Sequence, residues 1–174
     1  NVDLEKNKIF RKLSTRNKVG WSMSFDNIGP KFEYVRHGGN WQLMQENLKI
    51  IKELMTSQGQ WGGIHAVYNL YNATNFTELV QFAEETKTTI LWQNLFQPEY
   101  LDPFLHGSTV AELAAKEIEK FYDTGLATDA DRQFFDHALE KYRLTTQNQT
   151  QITKLFRRQD RKSTRLNSSH ITIS

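Results

Sequence analysis

Strand-like and helix-like patterns alternate along the first part of the chain, and this alternation constrains the fold more than any other feature of the sequence. Short segments rich in β-branched and aromatic residues predict strands at 19–25, 62–68 and 88–93. Apolar residues at steps of three or four predict helices between these strands, at 41–55 and 75–85. Parallel strands cannot be joined by tight hairpins, so strands separated by helices indicate right-handed crossovers and a parallel sheet. The sequence therefore predicts the α/β class.

Three parallel strands make a narrow sheet for this class. Such a sheet leaves two unpaired edges and too little area to be covered well on both faces. We therefore expect part of a larger structure, an incomplete TIM-like (β/α) barrel with additional C-terminal helices. Further helices are predicted before the first strand, at 2–13, and after the third strand, at 108–121, 128–142 and 147–158. Asn40 is the predicted N-cap of the helix at 41–55, and Ser108 is the predicted N-cap of the helix that follows it.

The composition is that of a globular chain. Of the 174 residues, 38% are hydrophobic, 24% are charged and 12% are aromatic, which is enough for a packed core. No apolar run approaches the roughly 18 residues that a membrane-spanning helix needs. Residues 1–12 alternate charged and apolar side chains and so do not resemble a secretion signal. We therefore expect a soluble, cytoplasmic protein without a membrane partner.

The sequence contains no cysteine, and this limits its chemistry. Disulfides, a cysteine nucleophile and thiolate-held zinc or iron-sulfur sites are excluded within these residues. The histidines show no metal-ligand spacing, so we expect no metal site, and His65 inside a predicted strand is expected to be a packing residue. The GxSxG, GxGxxG and phosphate-loop motifs are also missing, which removes common hydrolase and nucleotide-binding signatures.

The mild basicity of the chain comes from its last residues. The net charge is +2, and the segment 160–174 carries three cations and one anion, so the remaining residues balance to zero. We therefore expect no nucleic-acid partner. The segment also resembles the translation of a sequencing-library adapter, the alternative being a natural flexible tail. On the adapter interpretation, the natural protein continues beyond Gln159.

Polar side chains follow each predicted strand, where ligands of parallel α/β proteins bind. Hydroxyl, carboxylate and amide groups suit a ribose-bearing ligand. A guanidinium group suits a carboxylate or phosphate, and paired glycines let the backbone approach a ligand closely. The candidates are Ser24, Asp26, Asn27, Arg36, Gly38 and Gly39 at or after the end of the first strand, Asn69 and Asn72 after the second, and Gln93, Asn94 and Gln97 at or after the end of the third.

Each candidate also has an ordinary structural interpretation, which the sequence leaves open. Asp26 and Asn27 could shape a turn, Arg36 could pair with Glu33 or Asp26, and the asparagines could cap helices. Their shared position at one edge of the predicted sheet is what favours a common site. Four aromatic residues near the third strand could line a substrate groove or belong to the core, namely Trp92, Phe96, Tyr100 and Phe104.

Three blocks of the sequence resemble the later barrel strands of radical S-adenosylmethionine (radical SAM) enzymes. The blocks are WSMSFDNIGPKFEYVRHGGNWQLMQENLKIIKEL (21–54), GGIHAVYNLYNATNFTELVQFA (62–83) and ILWQNLFQPEYLDPFLHG (90–107). The order Ser-Phe-Asp-Asn, a short spacer, Tyr-Val-Arg-His-Gly-Gly and an amphipathic helix resembles the fourth strand and helix of that family. The branch with a C-terminal twitch domain is the most similar.

The resemblance implies an oxidoreductase-like parent enzyme. A 4Fe-4S cluster would reductively cleave S-adenosylmethionine there, and the resulting radical would abstract hydrogen from a substrate, often a peptide or protein. An electron donor is a further implied partner. On this chain, the resemblance implies that Ser24 and Asp26 hold the ribose and that Arg36 approaches the methionyl carboxylate. It also implies that the adenine is bordered by Asn69, Gln93, Asn94 and Leu95.

The chain departs from this family in ways that affect activity. The CxxxCxxC loop, the glycine-rich motif after the second strand and the cysteines of a twitch domain are all missing. We therefore interpret the chain as an internal fragment that is inactive alone. Residues 1–107 would be the later half of a partial barrel, 108–159 a helical segment leading toward a missing twitch domain, and 160–174 the adapter-like tail. The alternative is a non-catalytic α/β module that binds a small molecule or peptide.

Overall fold

The computed structural model describes residues 3–16, 19–95 and 97–147. In this part of the chain, strands and helices alternate as far as the third strand, which confirms the predicted α/β class. Two short 3-10 helices, Glu99–Leu101 and Pro103–Leu105, follow the third strand. The other elements, in chain order, are α1 (Lys8–Ser14), β1 (Gly20–Ser24), α2 (Gly29–Val35), α3 (Trp41–Gln58), β2 (Trp61–Tyr68), α4 (Thr77–Glu85), β3 (Thr89–Asn94), α5 (Gly107–Asp123) and α6 (Asp129–Gln147).

The strands form one parallel sheet in the order β1-β2-β3. Ser24 in β1 is in register with His65 in β2, and His65 is in register with Leu91 in β3. Helices connect each pair of neighbouring strands, as parallel pairing requires. The narrow parallel sheet predicted from the sequence is confirmed, and the incomplete TIM-like barrel stays a prediction.

One face of the sheet packs against helices. Met23, Ile64 and Ala66 alternate with residues of the opposite face and are at most 7% exposed. They belong to a core that includes Leu48 of α3 and Leu79 of α4. Burying apolar side chains of this size contributes about 1.5–3 kcal/mol each, so this face supplies much of the stability of the sheet.

The opposite face is polar and open, and we call it the exposed face. Ser22 and Ser24 of β1 are exposed there, His65 of β2 is half-buried, and Leu91 of β3 is 54% exposed. Parallel sheets are normally covered on both faces, so an open polar face is unusual for this architecture. The exposed face comprises Ser22, Ser24, Gly63, His65, Thr89 and Leu91.

The helix α3 begins where its cap residue predicts. The side chain of Asn40 accepts a hydrogen bond from the backbone N–H of Leu43 at 2.8 Å, which confirms Asn40 as the N-cap. The helix α1 starts later than the predicted residue 2, at Lys8, because the Asn7 side chain caps it by accepting from the N–H groups of Ile9 and Phe10. Side-chain caps therefore set the start of both helices.

The helix α2 was not predicted from the sequence, which indicated only a turn near Asp26 and Asn27. The chain enters α2 through Gly29, whose φ of 56° is left-handed, and Pro30 occupies the first turn. Phe32 is the buried residue of α2. A helix of seven residues is too short to show an apolar period, and its Gly-Pro start has the composition of a turn.

The chain divides into two compact units, residues 1–94 and 95–174. In the second unit α5 and α6 pack through buried side chains that include Ile118, Phe121 and Phe135. Ser108, the predicted N-cap, lies inside the first turn of α5, because Gly107, with a φ of 81°, makes the turn into the helix. The predicted domain limits at 107 and 159 stay predictions.

Two predictions for the C-terminal end, the helix at 147–158 and the tail at 160–174, lie outside the described residues. The exception is Gln147, which is the last residue of α6. Among the helices that the structure describes, none combines the length and apolar character needed to cross a membrane.

Candidate functional site

Asp26 connects the carboxyl ends of β1 and β2. Its Oδ1 atom accepts a hydrogen bond from the backbone N–H of Val67 at 2.7 Å. Its backbone carbonyl accepts a second from Nδ2 of Asn72 at 3.2 Å. The side chain of Asp26 is only 11% exposed. Asp26 thus occupies the strand-end position predicted for it, and these contacts join two strand ends rather than form the local turn that the sequence left open.

Arg36 joins Asp26 and Ser24 from the end of α2. Its Nη2 atom donates to Oγ of Ser24 at 3.1 Å and lies 3.6 Å from Oδ2 of Asp26. Of the two ion pairs considered for Arg36, the structure forms the one with Asp26, whereas Glu33 accepts from the backbone N–H of Trp41 at 2.9 Å. Three predicted site residues are therefore in one cluster.

The Arg36 guanidinium has unused hydrogen-bonding capacity. Its Nε atom is buried and has no hydrogen-bond partner among the described residues. The side chain as a whole is 38% exposed, so the group is neither fully solvated nor fully paired. A planar guanidinium with a spare donor suits recognition of a carboxylate or phosphate.

Burial dominates the electrostatics of this cluster. It raises the pKa of Asp26 above the usual 3.8, because the charged form loses hydration. The hydrogen bond from Val67 opposes this effect, and the charges of Arg36 and His65 oppose it further. Asp26 is therefore a carboxyl group whose protonation depends on whether Arg36 stays beside it.

A cavity of about 410 Å³ lies beside Ser24 and Arg36. This volume is within the range of pockets that bind small molecules, about 300–1,000 Å³. Its wall contains buried apolar side chains, whereas Ser24, Arg36 and His37 contribute polar groups. The lining residues are Leu4, Trp21, Ser22, Met23, Ser24, Phe32, Arg36, His37, Gly38, Gly39, Met44, Asn47 and Ile51.

Steric and backbone constraints explain why glycines occupy positions 38 and 39 beside the cavity. A Cβ atom on Gly39 would lie 2.7 Å from the backbone oxygen of Arg36 and 3.0 Å from the Phe32 ring. Gly38 has a φ of 75°, a left-handed conformation that glycine adopts without strain. The two glycines therefore let the chain turn tightly between α2 and α3 and still line the cavity.

Asn69 serves the turn after β2. Its Oδ1 accepts from the N–H of Tyr71 at 2.8 Å, and its Nδ2 donates to the carbonyl of Val67 at 2.9 Å. The backbone N–H of Asn69 donates to Oδ1 of Asn72 at 2.8 Å, and Asn69 is 5% exposed. Its polar groups thus participate in the turn, although the position at the strand end is the predicted one.

The other predicted residues are distributed around the ends of the strands. Gln93 is in register with Val67, and Asn94 is the last residue of β3. Asn27 is 3% exposed, and its Nδ2 has no hydrogen-bond partner within the described chain. Leu95 is the first residue of the second unit. The lining of the cavity, as far as the structure describes it, includes Ser24 and Arg36 but not Asn69, Gln93 or Asn94.

His65 is a candidate that the sequence interpretation missed. It was expected to be a packing residue, yet it lies half-buried on the exposed face, in register with Ser24, and its charge influences Asp26. The alternation along β2 could have found it, because His65 falls on the face opposite the buried Ile64 and Ala66.

The resemblance implies a 4Fe-4S cluster and S-adenosylmethionine, and the residues of this chain fit these two groups differently. The sequence has no cysteine, and the described residues contain no group of three or more His, Asp or Glu side chains that could hold a metal ion. A 4Fe-4S cluster therefore does not fit this chain. The Arg36 donor and the adjoining cavity do suit a ligand with a carboxylate.

Comparisons with protein-family models, with curated proteins and with solved structures find no match to this chain.

Proposed function

We propose that this chain is part of the barrel of a radical SAM enzyme and that its role is to hold S-adenosylmethionine. The observation that supports this most directly is the cluster of Ser24, Asp26 and Arg36 beside a cavity at the end of a parallel strand. When bound, the cofactor supplies a sulfonium-linked adenosyl group. The chain's own contribution is to position it.

Each residue of the cluster has a defined role in this proposal. Arg36 neutralises the methionyl carboxylate, which its planar donors match in geometry. Ser24 offers a hydroxyl to the ribose, and Asp26 holds Arg36 near the cavity before the ligand binds. Met23 and Phe32 contribute an apolar wall to the cavity, against which the apolar parts of a ligand can pack.

The iron-sulfur cluster would belong to another part of the parent protein, because this chain offers no ligand set for it. Isolated from that part, the chain binds and orients but does not cleave the cofactor. The proposed setting is cytoplasmic, with an electron donor and a peptide or protein substrate as partners of the parent enzyme.

The gene sequence on either side of the chain tests the family assignment. A three-cysteine loop of the form CxxxCxxC is expected upstream of Asn1 in the natural reading frame. A continuous natural frame without such a loop would contradict the proposal.

Binding measurements test the site itself. Arg36→Ala should raise the dissociation constant for S-adenosylmethionine roughly 10- to 100-fold, because a hydrogen bond to a charged group contributes about 1.5–3 kcal/mol. Lys49→Ala removes an exposed cation on α3 and should leave the constant within about twofold. Isothermal titration of the parent protein makes the comparison, and equal effects of the two substitutions would argue against this site.

A non-catalytic binding module is the second candidate. The observation that favours it is that the lining residues of the cavity, as far as the structure describes them, all belong to the first unit. Titration of the parent protein with glycan and peptide panels beside S-adenosylmethionine distinguishes the two functions. Preference for a glycan or peptide, with no affinity for the nucleoside, would favour the module.

A further inference from the structure

The contact between Arg36 and Asp26 is looser than a charge-assisted hydrogen bond. The two groups are 3.6 Å apart at Nη2 and Oδ2, whereas such bonds measure about 2.7–2.9 Å. The Nε atom of Arg36 is buried and has no hydrogen-bond partner in the described part of the chain. Arg36 therefore has both a weak existing contact and a donor available for a new one.

Asp26 is held more firmly than Arg36. It accepts from Val67 through its side chain and from Asn72 through its backbone, and neither contact involves Arg36. Asp26 would therefore stay in place if the guanidinium turned toward the cavity. The charged groups that face it are Arg36 from the end of α2 and His65 from β2.

We propose that Arg36 exchanges Asp26 for the carboxylate of a ligand in the cavity, and that Asp26 takes up a proton from solvent when it loses Arg36. The only covalent change is the transfer of this proton: an O–H bond forms at Asp26, and the bond that held the proton in hydronium or in the buffer acid breaks. The Arg36 guanidinium pairs with the ligand carboxylate instead of Asp26. The added proton neutralises the Asp26 carboxylate. Ligand binding and proton uptake are then coupled at one pair of residues.

Burial and charge determine how the affinity for the ligand depends on pH. Burial already raises the pKa of Asp26, and Arg36 opposes the rise. Loss of Arg36 therefore raises the pKa of Asp26 further. By linkage, the affinity for the anionic ligand increases as the pH falls, by at most about tenfold per pH unit for one proton.

The identification of the ligand as S-adenosylmethionine rests on the proposed function, whereas the exchange itself does not. Two probes separate these statements. S-adenosylmethionine carries the carboxylate, and 5'-methylthioadenosine keeps the nucleoside and sulfur but lacks the carboxylate. Titration calorimetry in buffers of different ionisation enthalpy counts the protons taken up with each probe.

The expected result has three parts. S-adenosylmethionine binds with proton uptake and with a dissociation constant that falls as the pH is lowered, whereas 5'-methylthioadenosine binds without uptake. Asp26→Asn abolishes the uptake, while its Oδ1 atom still accepts from Val67. His65→Gln removes the other facing charge and keeps the uptake. Uptake that is equal in the wild type and in Asp26→Asn would overturn the exchange.

Inorganic phosphate serves as the third probe. If it binds with Asp26-dependent proton uptake while neither adenosyl compound binds, the exchange stands and the proposed function fails. If no probe binds with Asp26-dependent uptake, the exchange is overturned.

A measurement without ligand provides an independent test. The pKa of Asp26, followed by NMR with ¹³C-labelled aspartate and assigned with Asp26→Asn, should rise in Arg36→Gln. An unchanged pKa in that variant would overturn the coupling.

Discussion

Asp26 shows how one buried carboxyl group can serve structure and binding together. It joins two strands through Val67 and Asn72, and it also faces the Arg36 guanidinium. The structural contacts use Oδ1 and the backbone carbonyl, so Oδ2 is the atom that faces Arg36. The two roles therefore occupy different atoms of the same residue.

The pH dependence of stability follows from the environment of Asp26. Burial raises its pKa in the folded protein above the usual 3.8, so the protonated form favours folding. This contribution is complete below 3.8 and is lost as the pH rises through the folded-state pKa. Asp26→Asn mimics the protonated acid and should therefore be more stable than the wild type at neutral pH, with the advantage vanishing in acid.

Chemical denaturation at several pH values measures this difference. Tryptophan fluorescence is a suitable signal, because all four tryptophans lie in residues 1–94. Glu53→Gln changes an exposed carboxylate of α3 and should show no comparable dependence on pH. A loss of stability in Asp26→Asn at neutral pH would mean that the Arg36 ion pair outweighs the cost of burial.

At the scale of elements, the connection between α2 and α3 positions Arg36. The helix α2 ends at Val35, the glycine pair turns the chain, and Asn40 caps α3. Glu33 also accepts from the N–H of Trp41, so it ties the end of α2 to the start of α3. The orientation of Arg36 toward the cavity thus depends on two short helix-end motifs.

The cap of α3 provides the prediction at this scale. Asn40→Ala should lower the free energy of unfolding by about 1 kcal/mol, because the N–H of Leu43 loses its acceptor. Gln42→Ala, at an exposed position of the same helix, should change it by less than about 0.5 kcal/mol. Denaturant titration followed by tryptophan fluorescence compares the two, and equal losses would show that the cap is not the cause.

The sequence was sufficient for the strands but not for the cavity. Alternating and apolar patterns depend on near neighbours, so they predicted the three strands, and the helices between the strands predicted that they run parallel. The cavity combines Leu4, Arg36 and Ile51, which are distant in sequence and meet only through packing. Contacts between such distant residues carry no local signal. Asn69 is different, because its partners Val67 and Tyr71 are each two residues away and its turn is a local feature.

At the scale of the whole molecule, the sheet separates a stabilising face from an exposed one. Ile64→Ala removes a fully buried side chain from the helix-facing core and should cost about 2–5 kcal/mol. Ser22→Ala on the exposed face should cost less than about 0.5 kcal/mol. Tryptophan fluorescence during denaturation compares them within the first unit. Similar losses at both positions would mean that the exposed face is packed in solution.

This separation has a consequence for how such a chain can diversify. Successive residues of a strand are under different constraints, since one packs in the core and the next lies on the exposed face. Mutations at the exposed positions of this face, such as Ser22 and Leu91, can therefore accumulate with little loss of stability, and new chemistry can be sampled on an unchanged scaffold. A combinatorial library restricted to Ser22, Ser24, His65 and Leu91 would draw on this freedom.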